Sequence, residues 1–215
     1  MAQEQNLLIN GPAGQLEARW QAANQTRLGV LMCHPHPLFH GTMDNKVVTT
    51  VTRTLAGRGL PTLRFNFRGV GNSAGQHDHG RGEQEDVLAV LNYARTELGW
   101  ERIILAGFSF GAGMACLSAC RAPEHLAALV LLAPAVHHFD APNQLPYEFE
   151  TFVYMGDADE VVPFEEVQDW AGRVVPTPHF SVFRTGSHFF HGRLTDLKAS
   201  LLDDLTLLLN PLQPL

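Results

Sequence analysis

Short apolar runs alternating with longer stretches of helical period constrain this chain more than any other feature. Runs at 29–33, 61–67, 103–106, 126–132, 151–155 and 180–183 have the length and the Val, Ile, Leu and Phe content of strands. Between them, 43–56, 83–98, 110–120, 164–171 and 194–209 read as helices. Val87, Leu88, Val90, Leu91 and Ala94 mark the apolar side of the second, and Leu194, Leu197, Leu201, Leu205 and Leu208 that of the last. Ahead of all these, 7–9 and 15–21 read as an antiparallel pair turning at Asn10-Gly11-Pro12. Strands separated by helices require crossover connections, so the expected class is α/β: a mainly parallel central sheet with helices on both faces. The 215 residues, without repeat or linker, suit a single domain spanning 1–215. In such a sheet, reactive groups belong at the carboxyl ends of the strands.

The strongest candidate there is Ser109. Gly107-Phe108-Ser109-Phe110-Gly111 follows the run 103–106 at once and opens the helix 110–120. A serine on a sharp strand-to-helix turn is pushed out above the sheet, with small residues needed two before and two after it. The new helix also aims its first amides at any negative charge forming there. The bare pattern arises by chance in roughly one chain in fifteen of this length, so its placement at a strand end matters more than its letters.

A serine hydroxyl needs a base, and the base needs an orienting carboxylate. Both stand at later strand ends, in the order serine, acid, histidine. The run 151–155 leads into Gly156-Asp157-Ala158-Asp159-Glu160-Val161-Val162-Pro163, and 180–183 leads into Gly186-Ser187-His188-Phe189-Phe190-His191. His188 is the expected base, since His191 lies beyond two phenylalanines read as packing inward. Asp159 is the expected orienter, because Val161-Val162 should anchor its loop while Asp157 faces solvent or bonds its own turn. For the oxyanion, Phe110 supplies one amide. The second comes from Cys33-His34-Pro35-His36-Pro37-Leu38, where the prolines have no N–H. His36 or Leu38 is then the donor, with His36 favoured.

These segments carry a resemblance. His34-Pro35-His36-Pro37 with Gly41-Thr42-Met43-Asp44-Asn45-Lys46, Arg64-Phe65-Asn66-Phe67-Arg68-Gly69 with Val70-Gly71-Asn72-Ser73, and the Ser109 turn resemble the small cap-less bacterial α/β-hydrolases related to dienelactone hydrolase. The resemblance spans about 31–191 and implies an α/β-hydrolase fold without a cap, an esterase-like activity and no cofactor. Dienelactone hydrolases proper use cysteine where this chain has Ser109, so their substrate is not carried over. In the same light Asn66, Arg68, Asn72 and Asp86 read as structural. Arg68 either braces its loop through an acid such as Asp86 or is solvated.

Composition narrows the rest. A net charge of −7 argues against a nucleic-acid footprint and against anionic membranes. Residues 1–10 lack the basic start and apolar core of a secretion signal, and no apolar run is long enough to span a bilayer. The three cysteines, Cys33, Cys116 and Cys120, fit reduced core thiols and a cytoplasmic setting. Eleven histidines raise a metal protein as a rival, through His34, His36 and His40 or His77 and His79. Pro35 and Pro37 break the helical spacing such a site would use, so no metal is expected. Gly69-Val70-Gly71-Asn72-Ser73-Ala74-Gly75 has its third glycine one place late for a dinucleotide loop and no helix opening behind it. A non-catalytic binding module on the same fold remains the other alternative. The expected partner is a small-molecule ester, or equally a thioester or short amide, and the sequence leaves the oligomeric state open. The segment 133–150, short and holding Pro134, Pro142 and Pro146, cannot build a helical lid. Small acyl groups are therefore expected to be preferred.

Overall fold

The computed structural model describes residues 3–23 and 27–209. Residues 1 and 2, part of the segment read as no secretion signal, lie outside the described residues. Eight strands form one sheet in the order β1-β2-β4-β3-β5-β6-β7-β8. They are β1 (Glu4–Gly11), β2 (Gly14–Gln21), β3 (Leu28–Cys33), β4 (Thr62–Phe65), β5 (Arg102–Phe108), β6 (Leu126–Leu132), β7 (Glu150–Gly156) and β8 (His179–Phe183). β1 and β2 pair antiparallel, as do β2 and β4, and every pairing from β4 through β3 to β8 is parallel. The helices are α1 (Lys46–Ala56), α2 (Arg81–Thr96), α3 (Phe110–Arg121), α4 (Phe164–Arg173), α5 (Leu194–Asp204) and α6 (Thr206–Leu209). This is the α/β-hydrolase architecture, and no helix stands between β6 and β7, where the connection makes only a short 3-10 turn at Val136–His138. No helix among the described residues is long and apolar enough to cross a membrane.

The central strands are continuous apolar runs because both of their faces are covered. All seven residues of β6 are buried, as are Ile103 to Phe108 of β5. α3 packs on β5 and β6, α2 packs on α3, and α1 packs on α5. Tyr154 of β7 reaches Asp204 of α5 with its hydroxyl at 2.8 Å, tying that helix to the sheet.

Several element ends differ from expectation, each for a local reason. The first turn lies at Pro12-Ala13 rather than Asn10 to Pro12, since β1 runs to Gly11. The first helix starts at Lys46, not at 43, because the Met43 amide donates to Asn66 Oδ1 (2.9 Å) and Asn45 caps the helix through Val47 (2.9 Å). α2 starts two residues early because the Glu83 carboxylate accepts the amides of Asp78 and Gly80, both at 2.8 Å. The expected helix 194–209 breaks at Leu205, where the Thr206 hydroxyl donates to the Leu202 carbonyl (2.7 Å). Cys33 and Cys116 are buried core thiols, whereas Cys120 is exposed.

Candidate active site

β5 runs to Phe108, so the chain turns at Ser109 itself. Ser109 holds φ of 57° and ψ of −116°, a conformation rarely adopted by an L-residue. What holds it there is close packing on either side. A Cβ at Gly107 would lie 2.2 Å from the Gly111 carbonyl oxygen, and one at Gly111 would lie 2.4 Å from the His34 carbonyl oxygen. Backbone bonds complete the turn: Ser109 N–H donates to Leu132 (2.8 Å), and the Ser109 carbonyl accepts from Ala112 (3.0 Å) and Gly113 (3.2 Å).

Three strand ends converge on this serine. His188, from the loop after β8, places Nε2 3.0 Å from Ser109 Oγ. Its Nδ1 lies 2.8 Å from Asp159 Oδ2, from the loop after β7. A carboxylate only accepts, so Nδ1 carries the proton and Nε2 is left to accept from the serine hydroxyl. The row is nearly dry: Ser109 is 7 % and His188 3 % exposed. Phe108 and Phe189 hold the imidazole on two sides, at ring centroid distances of 4.9 and 5.1 Å. Asp159 is fixed by its other oxygen, which accepts the amides of Val161 and Val162, both at 2.8 Å.

The neighbouring acids have different tasks. Asp157 Oδ1 accepts the Thr185 amide, so it ties down the adjacent loop rather than its own turn. Glu160 Oε2 accepts the backbone amide of His188 at 3.1 Å, a contact the sequence reading missed. A third acid within four residues was the only signal for it. Of the expected anchors, Val162 is buried but Val161 is 53 % exposed. Likewise Phe190 is buried, while Phe189 is partly exposed beside the imidazole. His191 is exposed and turns back to Ser187 Oγ (3.3 Å), away from the row.

The turn after β3 faces the start of α3. Leu38 gives its amide to His36 Nδ1 (3.2 Å), while Phe39 and Gly41 give theirs to the His36 carbonyl (3.1 and 3.0 Å). Leu38 is thereby engaged by the His36 side chain, and Pro35 and Pro37 carry no N–H to give. The His36 ring lies 4.8 Å from that of Phe110, whose amide heads α3. Burial and the neighbouring His77 and His138 push the His36 imidazole below its ordinary pKa.

The other histidines separate into structural and rim residues. His34 is buried, with Nδ1–H donating to the Pro35 carbonyl (2.6 Å) and Nε2 accepting from the Phe67 amide (3.0 Å). His77 Nδ1 lies 2.9 Å from a carboxylate oxygen of buried Glu83, and its ring lies 5.1 Å from that of His79. Among the described residues no three His, Cys, Asp or Glu side chains are grouped to hold a metal ion. Arg68 braces its loop on Asp86, through Nη2 at 2.8 Å and its own amide at 3.0 Å. Asn66 and Asn72 both bond Glu17, at 2.8 and 3.0 Å. The glycine-rich stretch 69–75 is thus a braced turn. Its glycines 69, 71 and 75 take positive φ, and no helix opens until Arg81.

Comparison with known proteins adds an independent view. A family model described as alpha/beta hydrolase fold matches residues 38–159. An uncharacterised protein of Rickettsia prowazekii is 32 % identical over 206 residues, covering 92 % of this chain and 87 % of that protein. A solved α/β serine hydrolase without a lid from Xanthomonas campestris is 34 % identical with a TM-score of 0.88, covering 96 % of this chain and 95 % of that one. An α/β serine hydrolase homologue from Coxiella burnetii is 42 % identical with a TM-score of 0.87, covering 95 % and 98 %.

Proposed function

This chain belongs to the alpha/beta hydrolase family, and we propose that it is a carboxylesterase-like serine hydrolase acting on small ester or thioester substrates through Ser109, His188 and Asp159. The observation that carries this reading is the unbroken row from Ser109 Oγ to His188 to Asp159, at 3.0 and 2.8 Å. The motif resemblance to the relatives of dienelactone hydrolase, here with serine in place of cysteine, points the same way.

Ser109 Oγ attacks the carbonyl carbon as His188 Nε2 takes its proton. The carbonyl oxygen becomes an oxyanion, held by the amides of Phe110 and His36. Asp159 keeps His188 in the Nδ1–H tautomer and stabilises the imidazolium without taking its proton. The carbon–oxygen or carbon–sulfur bond to the leaving group then breaks, and His188 returns the proton to that leaving atom. Water, deprotonated by the same histidine, attacks the acyl-serine and releases the acid. No group from outside the chain other than water is needed.

The test is hydrolysis of short acyl esters by the purified chain. Ser109→Ala and His188→Ala should each remove it while circular dichroism stays unchanged. Full activity in folded His188→Ala, with loss only in His191→Ala, would move the base to the other histidine.

A further inference from the structure

A groove of about 510 Å³ begins at Phe110, the residue after Ser109. It lies between the start of α2, one side of α3 and the 3-10 turn that follows β6. Its volume is within the range that takes a small organic ligand. Five flat side chains line it, His79, Phe110, His137, His138 and Phe139, beside apolar Met114 and Leu117 of α3 and polar Arg81, Gln84 and Asp140 at the rim.

These rings are held in place. Phe139 rests on α3 at Gly113, where a Cβ would come within 2.6 Å of its ring, so only glycine gives it that seat. His137 and His138 lie 3.9 Å apart by ring centroid. Phe110 packs 5.8 Å from His77, and His77 lies 5.1 Å from His79. A series of rings thus leads from the oxyanion side of Ser109 into the groove. The leaving atom must face His188, which returns its proton, while the acyl group is carried by Ser109; neither residue lines the groove. Phe110, the neighbour of Ser109 in the chain, does line it. The acyl half of the substrate is assigned to the groove on that adjacency.

Resting on the ester-hydrolase reading above, we propose that this groove selects an acyl group ending in an aromatic ring, an arylalkanoyl ester. The groove is open to solvent, so a flexible alkyl chain stays partly wetted and gains little from burial. A flat ring gains offset-stacked or edge-to-face contact with the ring walls in addition to its buried area.

The test compares methyl 3-phenylpropanoate with methyl 3-cyclohexylpropanoate, which share chain length and leaving group but differ in flatness. The phenyl ester should have the higher kcat/KM by about three- to tenfold, the span that aromatic pairing provides. Phe139→Leu should bring the ratio below about twofold, and Phe139→Tyr should preserve it. Fluorophosphonate labelling of Ser109, run on the same samples, reports the catalytic machinery separately. Equal rates for the two esters in a protein that still labels would overturn the proposal, as would a ratio that survives Phe139→Leu. A chain that neither labels nor turns over either ester would overturn the hydrolase reading, and the groove proposal with it.

Discussion

At the scale of single residues, the acid loop separates three carboxylates that the sequence places side by side. Asp159 alone touches the imidazole, at 2.8 Å, and its other oxygen is fixed by two amides. Asp159→Asn should cost on the order of 10⁴ in kcat with little change in stability, because the histidine tautomer is no longer set. Asp157→Asn should cost less than about tenfold, since Asp157 bonds the Thr185 amide and not the imidazole. Steady-state kinetics on both variants checks this, and equal small losses would leave His188 without an orienter. Asp159 was legible because an apolar residue that anchors the loop follows it. Glu160 was not, because whether a surface carboxylate reaches a backbone amide depends on where the neighbouring loop sits. His34 gives a second expectation. Burial lowers its pKa from 6.5 to about 4. The unfolded chain takes up the proton near 6.5 and the folded chain only near 4. Stability from the neutral imidazole is therefore full above 6.5 and lost as pH falls toward 4, by roughly 3 kcal/mol. Urea unfolding at pH 7 and pH 4.5 should show a larger loss in the parent than in His34→Gln; matching losses would place the effect elsewhere.

Among the elements, the junction of β5 and α3 was the most legible, because steric demand writes itself into sequence as glycine. A side chain at 111 would sit between α3 and the His34 carbonyl, 2.4 Å away. Gly111→Ala should destabilise the protein by about 1–3 kcal/mol, as overpacking does. It should also lower kcat more than it raises KM, since it separates the helix start from the His36 turn. Thermal melts and kinetics on the same sample decide it; an unchanged melt with unchanged kcat would show that the packing is looser than these distances require. Element ends were less legible. The start of α1 depends on Asn66 capturing the Met43 amide from across the sheet, and the last helix breaks at a side chain-to-backbone bond. Neither competes visibly in a hydrophobic pattern, which records burial rather than which polar group wins an amide.

For the whole molecule, the parallel class followed from alternation, but the strand order did not. β4 lies between β2 and β3, a placement set by pairings distant in sequence. The absence of a lid was legible in the short, proline-containing segment 133–150, and the structure has only a single 3-10 turn at Val136–His138 in its place. With no cover, methylenes of a long acyl chain remain wetted, and each contributes its usual ~0.8 kcal/mol only when buried. Across straight-chain nitrophenyl esters, short acyl groups should therefore give the higher kcat/KM. A steady rise to about twelve carbons would require a deep apolar pocket and would contradict this expectation. The proposed chemistry depends on one atom being the nucleophile, and the mass of the intact chain reports on it most directly. After treatment with a fluorophosphonate, the protein should gain the mass of one phosphonyl group, located by peptide mapping on Ser109, and Ser109→Ala should gain none. An adduct that persists in Ser109→Ala, or that maps to another residue, would contradict the account.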